Sequence, residues 1–130
     1  MAIGFRDHMT PRIESLGFNN FHVLGFNNFR AGNHTVSVQA SEYHYCEPKV
    51  TGLSLESYAK FEVAIWRTPT DDVGISEMCP HDLPFEWVSK FEPHYDGHSC
   101  VSVAGLVDSD TVQQIVYDLC DAGVTEIATR

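Results

Sequence analysis

The residues whose types and spacing could do chemistry are Cys79, His81, His94, His98 and Cys100. Cys79-Pro80-His81 followed by His94-x3-His98-x-Cys100 brings sulfur and imidazole donors from two short stretches, the donor set of tetrahedral zinc. Asp96 adds a carboxylate between the second pair of histidines. A metal held there would clip a loop-rich region together or serve a small metal-dependent hydrolase. Against it, no two cysteines have the CxxC spacing of zinc ribbons, and a cysteine at the start of a strand is equally a small core hydrophobe. The four cysteines, Cys46, Cys79, Cys100 and Cys120, are widely spaced. No export signal opens the chain, so free thiols are expected.

Nucleophilic chemistry is less well served. Cys79 with His81, and Cys46 with His44, stand two residues apart, which in an extended chain shares a face but leaves the groups well separated. A nucleophile needs its base within hydrogen-bond reach and a third group to orient that base. Glu62, Glu92 or Asp96 with a histidine would make an acid–base pair, as in almost any sequence of this composition. GHSCVSVAG, residues 97–105, does not match the G-x-S-x-G nucleophile turn, and no Gly-rich phosphate loop occurs. The chain therefore reads as a non-enzyme sooner than as an enzyme.

Charge narrows the partners. Eighteen acidic residues against eight Lys and Arg give a net charge of −10. Direct nucleic-acid binding draws its affinity from cations that displace counterions from phosphates, so it is not expected. An anionic membrane surface is disfavoured for the same reason, and no apolar run approaches the roughly eighteen residues of a spanning helix. A basic protein partner is favoured. The length of 130 residues and hydrophobic fraction of 43% suit one α+β domain over residues 1–130.

The elements that must position these groups follow from periodicity. SYAKFEVAIW, Ser57 to Trp66, alternates: Ala59, Phe61, Val63 and Ile65 fall on one side, and Tyr58, Lys60, Glu62, Ala64 and Trp66 on the other. HTVSVQASEYHYC, His34 to Cys46, alternates likewise and predicts a second strand. A third is expected at Phe21 to Phe26, with Asn-Asn pairs as turns on either side. The short links between them predict an antiparallel meander. LGFNNF occurs twice, at Leu16–Phe21 and Leu24–Phe29, a local duplication too short for a solenoid. Thr10-Pro11 predicts a short N-terminal helix over Pro11–Leu16. An irregular insertion covers about residues 67–98, with a short helix between Leu83 and Phe91. A last strand follows at Ser99–Ala104, with Val101 and Val103 on one side. Val112, Ile115, Val116, Leu119 and Cys120 then form the apolar stripe of a C-terminal helix, capped by Asp108 or Ser109 and ended by Gly123. The expected fold is thus an antiparallel sheet of about four strands, with both helices on one face.

The uncovered face would then carry Tyr43, Tyr45, Tyr58, Glu62 and Trp66 among small polar residues. Rigid amphipathic rings in such surroundings resemble protein-binding surfaces, and these five are the candidate partner contacts. The plainer alternative is a solvated sheet face braced by aromatic cross-strand pairs. Single-stranded RNA readers also stack bases on a sheet, but this face lacks their cations.

FEVAIW, the insertion with its aromatic residues, and VAGLVDSDTVQQIVYDL together resemble small accessory proteins of bacteriophages and prophages, over the last two thirds of the chain. The resemblance implies a cytoplasmic, non-enzymatic protein that binds and blocks a host defence or nucleic-acid-processing complex. Anti-CRISPR proteins are one such group, and their acidic members occupy basic nucleic-acid channels. A phage structural or assembly protein, with self-association into a homo-oligomer, is the remaining alternative.

Overall fold

The computed structural model describes residues 4–17, 20–68, 80, 83–95 and 100–128. In chain order the strands are β1 (Pro11–Gly17), β2 (Asn20–Phe26), β3 (Phe29–Ala31), β4 (His34–Gln39), β5 (Lys60–Arg67), β6 (Glu92–Tyr95) and β7 (Cys100–Asp108). Helix α1 (Ser109–Ala128) follows, and short 3-10 turns lie at Phe5–His8, Leu55–Ser57 and Glu86–Lys90. The class is α+β: five strands pair antiparallel in the order β3-β4-β5-β7-β6, with α1 after them.

The alternation predicted for the central strand decides the layering. Every second residue of β5 is buried, and Phe61, Val63 and Ile65 have no exposed surface. Their neighbours complete the inner face: Val36 lies opposite Ile65, Val38 and Ala104 flank Val63, and Ser102 lies opposite Ile65 on the other side. α1 covers this face with Val112, Ile115 and Leu119, all fully buried, as a stripe at i, i+3 and i+7 requires. Burying one such side chain contributes roughly 1.5–3 kcal/mol.

Both ends of α1 are informative. Asp108 caps it, its Oδ1 accepting the Thr111 hydroxyl at 2.6 Å and its Oδ2 the Thr111 amide at 3.4 Å. The Thr111 hydroxyl holds this carboxyl below the usual aspartate value. Gly123 does not end the helix, which continues to Ala128. An interior glycine costs only about 1 kcal/mol, less than the buried turns before it contribute.

The 3-10 turn Phe5–His8 closes one edge of the core. Phe5 meets Phe61 edge-on at 5.3 Å and donates its amide to Gln113 Oε1 at 3.0 Å. The Arg6 guanidinium lies 4.7 Å from the centre of the Phe5 ring and donates to Ser109 Oγ at 2.9 Å.

Several expectations are corrected. Pro11–Leu16 is not a helix but most of β1, which pairs with β2 in a separate two-stranded sheet. A six-residue helix is too short to hold itself, so pairing with β2 overrides Thr10-Pro11, and proline is tolerated as the first residue of a strand. β2 therefore does not join the meander, and β3 takes the place beside β4. The second LGFNNF copy ends β2, turns at Asn27-Asn28 and begins β3. The helix expected between Leu83 and Phe91 is a 3-10 turn over Glu86–Lys90, and Pro93 lies in β6, an edge strand where its missing N–H does no harm. Val101 and Val103 do share a side, but it is the open face, because Cys100, Ser102 and Ala104 point inward.

Ser102 is 2% exposed, and its hydroxyl has no hydrogen-bond partner among the described residues. Ser102→Ala is expected to stabilise the protein by about 1 kcal/mol, because an unsatisfied buried hydroxyl is removed. A urea midpoint that rises at unchanged slope would show it, and a falling midpoint would refute it.

Candidate functional site

The five candidate contact residues do not form one surface. Tyr58, assigned to the open face by alternation, is 1% exposed. It precedes β5, where the chain is still a loop and strand parity does not apply. Its ring packs 6.1 Å from Phe61, and its hydroxyl donates to the Val50 carbonyl while accepting the Leu53 amide at 3.3 Å. Tyr58 is thus the internal post of the loop, not a contact residue. Trp66 stands half-buried on the open face, four residues along β5 from Glu62, about 13 Å at strand rise.

Tyr43 and Tyr45 are exposed, though not on a strand. β4 ends at Gln39, and the chain turns at Ser41, whose hydroxyl accepts the Tyr43 amide at 3.0 Å and meets His44 Nδ1 at 2.6 Å. Such local side-chain bonds compete with a strand ladder and bend the chain away. Tyr43 is left 74% exposed and Tyr45 68%.

Tyr45 is nevertheless held firmly. Its amide donates to Glu62 Oε2 at 2.8 Å, and its carbonyl accepts the Leu106 amide at 2.9 Å. The register between β5 and β7 slips between Phe61 and Val63, so Gly105 and Leu106 bulge out of the ladder. Leu106 has φ 54° there and is half exposed. A Cβ at Gly105 would lie 2.8 Å from Tyr45 Cβ, so glycine is what lets the loop rest on the bulge. Lys49 Nζ lies 5.2 Å from the centre of the Tyr45 ring. An open cleft of about 420 Å³ beside it is lined by Lys90, Glu92, His94, Val103 and Leu106.

This bulge and loop hold exposed apolar side chains that alternation does not mark. Of the six large apolar side chains exposed among the described residues, Tyr43, Tyr45, Val50 and Leu53 lie on the loop and Leu106 on the bulge; Tyr117 lies on α1. No sequence period marks such a cluster, because a loop has none.

The candidate metal ligands fare differently. Cys79, His81, Asp96 and His98 lie outside the described residues. His94 is exposed on β6. Cys100 corrects the expectation of free thiols, since it is disulfide-bonded, whereas Cys46 and Cys120 are free. A sulfur in a disulfide offers no thiolate to a metal. Among the described residues no three His, Cys, Asp or Glu side chains converge to hold an ion.

The Cys46–His44 pair is not assembled either. The Cys46 thiol donates to the carbonyls of Ser41 at 3.2 Å and Pro48 at 3.4 Å, while His44 Nδ1 is engaged by Ser41. Burial pushes the Cys46 thiol up, away from the thiolate a nucleophile needs.

No described helix is long and apolar enough to cross a membrane. Comparison with protein-family models, curated proteins and solved structures finds no match.

Proposed function

We propose that the chain is a non-enzymatic protein-binding module whose contact surface is the loop of residues 40–59 together with the Gly105–Leu106 bulge. The carrying observation is that Tyr43, Tyr45, Val50 and Leu53 are all exposed on one loop pinned by Glu62 and Tyr58, and that exposed Leu106 is joined to it through the Tyr45 carbonyl. Exposed apolar side chains are ordinary when scattered and informative when clustered. A pinned backbone also loses less entropy on binding. Glu42 and Glu47 are exposed on the loop, and with the net charge of −10 they favour a basic partner. The likeness to phage accessory proteins makes a nucleic-acid-processing or defence complex the class of partner to test first.

The test is capture by the immobilised chain, followed by titration of the captured protein against Tyr45→Ala. A central aromatic contact is worth about 2 kcal/mol or more, so affinity should fall at least about 30-fold with melting unchanged. Equal affinity for wild type and variant overturns the reading.

A further inference from the structure

A second cleft, of about 730 Å³, lies between the Glu86–Lys90 turn and the first turns of α1. Its wall is aromatic: Phe85 and Trp87 stack with centroids 5.4 Å apart and planes 16° from parallel. Asp118 locks that wall, accepting Trp87 Nε1–H and Gln114 Nε2–H at 2.9 Å each. Glu86 and Asp110 line the cleft as exposed residues, and neither carboxylate has a hydrogen-bond or ion-pair partner among the described residues. Among the described residues Lys90 is the only cation lining it. At the α1 N-terminus Asp108 takes up the Thr111 amide and Asp110 adds a negative charge, which disfavours an anion there.

We propose that this cleft binds a cation with a flat or apolar body, of which an arginine side chain is the type. A guanidinium stacks on an aromatic wall and pairs with carboxylates, whereas an anion would meet Glu86, Asp110 and Asp118. The three carboxylates outnumber Lys90, and the acidity of the whole chain draws cations toward the cleft. This site shares only Lys90 with the cleft beside Tyr45, and the reading stands without that surface.

The experiment follows the Trp87 indole N–H by NMR in a Trp66→Phe chain, which leaves Trp87 as the sole indole. N-acetyl-arginine amide is titrated against its neutral isostere, N-acetyl-citrulline amide. The expected result is a saturable shift with the arginine compound, absent with the citrulline one. Removing both carboxylates, in a Glu86→Gln/Asp110→Asn chain, should weaken that binding about three- to tenfold, as partly exposed charge pairs do. An equal response to citrulline, no response to either compound, or a double variant that binds arginine unchanged overturns the assignment. Partner capture through Tyr45 is predicted to be intact in the double variant, so the two readings fail separately.

Discussion

Replacing Gln39 with leucine is expected to cost about 2–4 kcal/mol, far more than a polar residue on a sheet face should. The Gln39 carboxamide is 7% exposed and acts as a piece of backbone. Its Oε1 accepts the Phe26 amide at 2.7 Å, and its Nε2 donates to the Phe26 carbonyl at 2.7 Å. A further bond from Nε2 to Ser37 Oγ, at 2.9 Å, sets the angle of the amide. β3 pairs with β4 only as far as Val36, so beyond that point a side chain ties the end of β2 to β4. Leucine matches the size but leaves a buried N–H and a buried C=O without partners, each at about 1–3 kcal/mol. Gln39→Glu keeps an acceptor for the Phe26 amide and loses the donor, so its loss should fall between wild type and Gln39→Leu. Urea unfolding of the three proteins checks the order. A leucine variant within about 0.5 kcal/mol of wild type would mean that water reaches Phe26 and that the carboxamide is not structural.

The same residue shows why part of this molecule was legible in its sequence and part was not. Phe61, Val63 and Ile65, and Val112, Ile115 and Leu119, announce themselves because one-sided burial imposes a period on the chain, and each is fully buried. Gln39 stands at a polar position of an alternating strand, and its partner lies thirteen residues away in backbone that no pattern marks. Pro11–Leu16 carries local helix signals, yet the pairing of Pro11 with Phe26 decides its conformation. Tyr58 misleads differently: the alternation begins three residues ahead of β5, in a loop where a side chain turns inward as readily as outward. Tyr43 and Tyr45 are exposed as expected, but a serine turn and a bulge put them there instead of strand geometry. What a sequence hides is the long-range hydrogen bond and the close approach at Gly105, and the candidate surface is built from both.

Tyr58 is where stability and recognition can be separated, because its ring serves one and its hydroxyl the other. Tyr58→Ala removes a fully buried ring beside Phe61 and is expected to cost about 3–5 kcal/mol, a large share of the stability of a domain this size. Tyr58→Phe keeps the ring and deletes only the bonds to the Val50 carbonyl and the Leu53 amide. Both Val50 and Leu53 are exposed, so water can replace the hydroxyl, and the stability loss should stay near 1 kcal/mol. The loop, however, loses its internal post. Amide exchange at residues 50–53 should quicken, and partner affinity should fall several-fold, since the entropy of ordering the loop then falls on the binding step. The phenylalanine variant is therefore the informative one: near-native melting, faster exchange in the loop and weaker capture are expected together. If exchange quickens while affinity stays at the wild-type value, the fixed shape of residues 40–59 is not what the partner reads.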